Sequence, residues 1–234
     1  MSHPLIRLEA LKFAWPGNSA ALIDCAEFQV NPGEHLFIRG ASGSGKSTLL
    51  NLIAAVIVAQ QGQLSILDRD LTVMTARQRD QFRADHIGFI FQQFNLVPYL
   101  NLEENVMLPC RFSARREQRA IAGYGSTQLA AQYLLQKLFV NDELDPQSPV
   151  ANLSVGQQQR VAAARALIGN PGIVIADEPT SALDVDSRER FINLLFEQVN
   201  SAGSTLLFVS HDASLGPSFE RMIEIDTFRP GGHS

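Results

Sequence analysis

Residues Gly40 to Ser47 read Gly-Ala-Ser-Gly-Ser-Gly-Lys-Ser and match the pattern G-x-x-x-x-G-K-S/T at every fixed position. The chemistry such a segment serves is the binding of a polyphosphate. An anion of that charge density must be met at close range by backbone N–H groups. Gly40, Gly43 and Gly45 leave room for the approach and tolerate the unusual dihedrals it needs. An apolar run, His35-Leu36-Phe37-Ile38, leads in as a strand, and Thr48-Leu49-Leu50-Asn51-Leu52-Ile53 leads out as a helix. The helix N-terminus adds its dipole and unpaired donors to the same anion. The loop from Gly40 through Ala41, Ser42, Gly43, Ser44, Gly45, Lys46 and Ser47 to Thr48 is therefore read as a nucleotide site. Lys46 would reach the β- and γ-phosphates, and Ser47 would offer its hydroxyl to Mg²⁺. The alternative is a plain Gly/Ser-rich turn, which the flanking strand and helix argue against.

Two further stretches carry chemistry. Ile173-Val174-Ile175-Ala176-Asp177-Glu178 is an apolar run that ends in two carboxylates before Pro179. A strand buried on both faces reads this way, and proline stops it. Acids at its carboxyl end would face the ligand crevice of an open parallel sheet. Asp177 is expected to hold Mg²⁺ through water, and Glu178 to orient or deprotonate an attacking water. The bland reading is an acidic pair that merely follows a strand. The other stretch is Leu153-Ser154-Val155-Gly156-Gln157-Gln158-Gln159-Arg160. Ser154 is an N-cap and Gln157, three residues on, completes a capping box. The helix then runs through Val161–Ile168 to Gly169, a natural C-terminal stop. Gly156 leaves space at the helix tip, so the tip is either a second anion site or simply a well-capped end.

The elements that must position these groups alternate. Strand-like runs fall at Leu5–Leu8, Phe28–Val30, Leu36–Ile38, Leu64–Ile66, Ile87–Phe91, Ile173–Asp177, Leu206–Ser210 and Met222–Ile225. Helical patterns cover about Ser47–Ala59, Leu102–Met107, Thr127–Leu138, Val155–Ile168, Ser187–Ser201 and Ala213–Leu215. The fold class this implies is α/β, a P-loop NTPase core with a mostly parallel sheet. The first thirty or so residues look like an N-terminal antiparallel β layer, with a turn at Pro16-Gly17-Asn18. The helix-rich middle is read as an inserted helical subdomain, residues 93–164, with 1–92 and 165–234 forming the core of one domain. Arg111, Arg115, Arg116 and Arg119 in that insert are expected to form a solvated helix face. Gly123-Tyr124-Gly125-Ser126 is expected to be a loop, with Ser126 or Thr127 capping the next helix.

A net charge of −5 gives no footprint for nucleic acid. Cys25 and Cys110 have no metal-ligand spacing and read as buried or indifferent thiols in a reducing compartment. Met1-Ser2-His3-Pro4 lacks the basic and apolar regions of a secretory signal. The longest apolar stretch, Leu49 to Ala59, contains Asn51 and is too short to span a bilayer, so a soluble cytosolic polypeptide is expected.

Leu153-Ser154-Val155-Gly156-Gln157 resembles the Leu-Ser-Gly-Gly-Gln signature of ATP-binding cassette (ABC) ATPases, and the resemblance extends over about residues 5 to 226. It implies that Trp15 stacks on adenine and that Gln92, after Ile87-Gly88-Phe89-Ile90-Phe91, is the Q-loop glutamine at the catalytic centre and its metal. Ser181-Ala182-Leu183-Asp184 is similar to the D-loop, which places Asp184 at the nucleotide, and His211 is similar to the switch histidine that assists catalysis. Phe91-Gln92-Gln93-Phe94-Asn95-Leu96-Val97-Pro98 and Glu103-Glu104-Asn105-Val106 are similar to the LolD- and MacB-like cassettes that energise lipoprotein release and macrolide-type export. One departure is Val155, where the family usually has glycine. A β-branched residue there restricts the first helical turn and adds bulk.

The resemblance implies a homodimer formed on ATP binding. Each nucleotide would lie between the phosphate loop of one copy and Ser154, Gly156 and Gln157 of the other. It also implies an integral membrane permease subunit on a separate chain and a peripheral position on the cytoplasmic face of the inner (plasma) membrane. Exposed Phe, Leu and Tyr in Phe94–Tyr99 would suit a contact with that subunit, or a satellite core under the loop. Two rivals are a soluble cassette acting on DNA or ribosomes, without the long insertions or basic surface this would need, and a regulatory module with weak hydrolysis. No Asn-Lys-x-Asp segment for reading guanine occurs.

Overall fold

In the computed structural model, residues 3–18, 20–139 and 147–231 are described. In chain order the elements are β1 (Ile6–Phe13), β2 (Ile23–Val30), β3 (His35–Arg39), α1 (Lys46–Ile53), β4 (Gln61–Ile66), β5 (Arg69–Asp70), α2 (Ala76–His86) and β6 (Ile87–Ile90). They continue with α3 (Leu102–Phe112), α4 (Ala114–Tyr124), α5 (Thr127–Leu138), α6 (Val155–Leu167), β7 (Ile173–Asp177), α7 (Val185–Ala202), β8 (Thr205–Ser210) and β9 (Arg221–Glu224). Two compact units result: residues up to Arg83 together with those from Thr205 on, and Ala84–Ser204.

In the first unit β1 buries Ile6 and Leu8, then Leu11 and Phe13, so its alternation slips phase midway. The slip is a bulge. Ala10 has φ +47, and the register against β4 shifts between Glu9 and Lys12. Gly62 faces the bulge at φ +82, where a Cβ would lie 2.3 Å from the Ala10 carbonyl oxygen, so only glycine fits. The slip is also why periodicity ended this strand at Leu8. Strand order β2-β1-β4-β5, antiparallel throughout, is the expected N-terminal layer. β3 pairs in parallel with β8 on one side and β9 on the other. Every residue of β8 is buried, and Phe37, Phe208 and Phe219 cluster with ring centroids 5.1–6.0 Å apart. α1 stops at Ile53, short of the expected Ala59. Ala55 turns to φ +57, and the Asn51 carbonyl accepts from both Val56 and Ile57 at 2.9 and 3.3 Å.

In the second unit β6 and β7 run parallel, Ile87 opposite Ile173. α3 extends five residues past the expected Met107 and carries Pro109. Ser126 caps α5 by accepting from Leu129 N–H at 3.0 Å, and Gly125 ends α4 in the left-handed region. Cys25 and Cys110 are free and buried; burial pushes the Cys25 thiol up to about 11 and raises that of Cys110.

The arginine cluster needs correction. Arg111, Arg115 and Arg119 are exposed, but Arg116 is only 2 % exposed. Its guanidinium donates to the carbonyls of Ile168 (2.7 Å), Ala166 (2.5 Å) and Arg165 (3.3 Å), the unpaired acceptors at the end of α6. Burial lowers its pKa to about 10, so it stays charged at neutral pH. Gly169, at φ +69, lets the chain pass beside it, since a Cβ there would sit 2.5 Å from the Arg116 carbonyl oxygen. Arg116→Met keeps the apolar stem and removes the donors. Urea unfolding should then show a loss of about 2–4 kcal/mol; an unchanged midpoint would return Arg116 to the solvated face.

Candidate nucleotide site

The phosphate loop joins β3 to α1 in the first unit, and its three glycines have different reasons. Gly43 and Gly45 hold φ +76 and +104, in the left-handed region. Gly40 is there for space: a Cβ would lie 2.2 Å from Ile225 Cγ2 and 2.8 Å from Ser44 Oγ. Lys46 is buried and its ammonium donates to the carbonyls of Gly40 (2.6 Å) and Ala41 (2.9 Å), which bends the side chain over the loop. Ser44 Oγ is buried without a hydrogen-bond partner. A buried hydroxyl left unmet costs free energy, and a phosphate oxygen would satisfy it. Ala41, Ser42 and Ser47 are exposed, and Thr48 is buried at the start of the helix.

His211 belongs to the same unit. β3 and β8 run parallel with Arg39 opposite Ser210, so Gly40 and His211 both follow directly at the carboxyl ends of adjacent strands. His211 is exposed there. Trp15 is 43 % exposed, just past β1, with its ring edge-on to Phe13 at 5.2 Å and 85°. The expected turn follows it, Asn18 N–H donating to the Trp15 carbonyl at 3.0 Å with Gly17 at φ +91.

The remaining groups lie in the second unit. Ile90 is opposite Ala176, so Gln92 and the Asp177–Glu178 pair leave β6 and β7 at the same end. Gln92 is exposed, Asp177 is half-buried, and Glu178 is only 7 % exposed. Glu178 also holds φ +48, a conformation a non-glycine residue adopts at a cost of about 1–3 kcal/mol. Ser181 N–H donates to the Glu178 carbonyl at 3.2 Å and closes a turn that fixes this backbone. Asp184 caps α7: its carboxylate accepts from Ser187 N–H (2.9 Å) and Ser187 Oγ (2.8 Å), bonds that hold its pKa below the usual carboxylate range. Ser154 and Gln157 form the expected capping box at the start of α6, at 3.3 and 2.9 Å. Val155 is 47 % exposed beside them. A Cβ on Gly156 would meet only Leu183 Cδ2, at an ordinary 3.6 Å. Packing among the described residues therefore does not demand this glycine.

Arg165 escaped the sequence reading. It donates from α6 to the carbonyls of Asn95 (2.7 Å) and Phe94, two consecutive residues at φ +49 and +58 just after Gln92. Its only signal was a cation set among the alanines of the helix's second half. The loop it holds divides the expected patch: Phe94 is buried, Leu96 half-buried and Tyr99 85 % exposed. Among the described residues no cluster of three or more His, Cys, Asp or Glu could hold a metal, and no helix is long and apolar enough to cross a membrane.

A fold with a phosphate loop between β3 and α1, a buried acidic strand end and a capped signature helix defines a P-loop nucleotide hydrolase. The profile of the ABC transporter family matches residues 23–181, and the chain belongs to that family as an ATP-binding cassette with its ATPase activity. It is 37% identical over 225 residues to the macrolide export ATP-binding/permease protein MacB of Shigella flexneri, covering 95% of this chain and 33% of that protein. It thus spans a third of the MacB length. It is 35% identical over 95% of its length to the ABC transporter ATP-binding protein Rv0986 of Mycobacterium tuberculosis, of which it covers 87%. Among solved structures it resembles the ATP-binding cassette MJ0796, a dimer in a post-hydrolysis state bound to ADP and Pi, with a TM-score of 0.78, 33% identity and coverage of 94% and 93% of the two chains.

Proposed function

We propose that this chain is the ATP-driven subunit of an exporter or lipoprotein-release system, closing as a homodimer on two ATP molecules and moving a separate membrane subunit. The observation that carries the reading is the phosphate loop itself, with a buried unpaired Ser44 hydroxyl and a buried Lys46 ammonium around a glycine-lined turn. The dimeric MJ0796 structure supports the two-copy arrangement. So does Gly156, whose lack of a side chain answers to no close contact among the described residues and would leave the helix tip open to a partner's nucleotide.

Lys46 would turn from its two loop carbonyls to the β- and γ-phosphates, while Trp15 stacks on the adenine. Ser47, Gln92 and Asp177 would hold Mg²⁺, which when bound neutralises charge on the phosphates. So small a protein contribution suits that ion, which keeps waters and takes most of its other ligands from phosphate. Glu178 orients the attacking water and accepts its proton, His211 assists at the γ-phosphate, and Ser154, Gly156, Gln157 and Asp184 act on the nucleotide held by the other copy. Loss of the γ-phosphate removes the bridging charge and reopens the dimer. The protein would sit on the cytoplasmic face of the membrane. Val155 favours a second reading, a regulatory module with slow turnover.

The test is affinity purification from detergent-solubilised membranes of its own cells, followed by phosphate-release measurement. An integral membrane protein is expected to co-purify and to raise ATP turnover several-fold. Recovery of the chain alone, with turnover near background, would favour the regulatory module.

A further inference from the structure

We infer that Gln60 is a positioning residue for the nucleotide base, acting through Trp15. The backbone ladder between β1 and β4 ends with Lys12 opposite Gln61, and Gln60 N–H adds one more bond to the Lys12 carbonyl at 3.1 Å. Beyond that point β4 has no further residue to offer. The Gln60 side chain takes over: its Oε1 accepts from Ala14 N–H at 3.0 Å and its Nε2 donates to the Ala14 carbonyl at 2.7 Å. A primary carboxamide carries one acceptor and one donor side, as a strand peptide does, so it extends the ladder by one position.

The extension falls where Trp15 needs it. On the other side of β1, Leu22 N–H donates to the Phe13 carbonyl at 2.8 Å, so the residues leading to Trp15 are held from both flanks. Phe13 braces the Trp15 ring edge-on. The return of this loop also runs close to the phosphate loop: a Cβ built on Gly45 would lie 3.5 Å from Leu22 and 3.7 Å from Ile23. The segment proposed to carry the base and the phosphate loop are therefore neighbours within the first unit. Without the Gln60 amide, Ala14 would lose both partners, and the segment carrying the indole would be tethered on one side only. Gln60 is itself exposed, so its replacement leaves the core intact.

The inference rests on Trp15 carrying the base, and the experiment separates the two. Affinities for ATP and for inorganic tripolyphosphate, which has no base, are measured for the parent, Gln60→Ala, Gln60→Glu, Trp15→Ala and the double variant Gln60→Ala/Trp15→Ala, together with kcat and KM. Trp15→Ala should weaken ATP about tenfold through lost stacking. Gln60→Ala should weaken it about threefold to tenfold with kcat unchanged, and tripolyphosphate affinity should not move. Gln60→Glu should fail to rescue, since its carboxylate cannot donate to the Ala14 carbonyl. The double variant should bind ATP no more weakly than Trp15→Ala alone. An effect of Trp15→Ala with none from Gln60→Ala, or additive effects of the two, would overturn the inference and leave the base site standing. No effect from Trp15→Ala would overturn both.

Discussion

Glu178→Gln should lower phosphate release about 10²–10⁴-fold while ATP binding survives, the range over which a positioned general base contributes. The amide matches the carboxylate in size but cannot take a proton from water. Glu178 is only 7 % exposed, its backbone is held at φ +48, and the turn to Ser181 fixes it, so the side chain has little freedom to be replaced in its task by a neighbour. Removing a buried negative charge also relieves repulsion against a triphosphate. Loaded with ATP and Mg²⁺, the variant should therefore scatter light as a particle of twice the mass of the 25.7 kDa chain. Unchanged turnover would remove Glu178 from its role. A particle that stays monomeric, alone and with the proposed membrane subunit, would remove the dimer.

Lys46→Ala acts at the other end of the chemistry, on binding. The ammonium is buried over the loop and donates to the Gly40 and Ala41 carbonyls, bonds it would exchange for phosphate oxygens. If Lys46 holds the β- and γ-phosphates as proposed, its loss removes two charge-assisted bonds, about 3 kcal/mol, or about a hundredfold in ATP affinity by calorimetric titration. Thermal stability without nucleotide should change far less. An affinity within a factor of two of the parent would mean that the loop backbone alone holds the phosphates.

Where sequence pattern and physical constraint coincide, the chain was legible. The phosphate loop, the acidic end of β7 and the capping box at Ser154 are local devices: a few residues at fixed spacing determine the backbone, and each appears at its expected residues. Tertiary effects were not legible in this way. Arg116 looks like its exposed neighbours in sequence, yet faces the end of a helix fifty residues away. α2 was missed because its only apolar side chain of any size is Phe82, although Thr75 and Gln78 carry a capping signal, with Gln78 Oε1 accepting from Thr75 N–H at 2.8 Å. The bulge at Ala10 hid the second half of β1 by shifting the phase of its alternation.

Both tips of α6 are pinned by side chains. Its first turn is closed by Ser154 and Gln157, and its last carbonyls are gripped by Arg116, while Arg165 in the same final turn clasps the segment after Gln92. Thirteen residues of helix, about 20 Å, lie between these fastenings. With the backbone groups at both ends met by side chains, neither end of the helix is left to fray. The serine tip and the segment after Gln92 are therefore fastened to one and the same helix, and loosening Arg165 would undo the second of those fastenings.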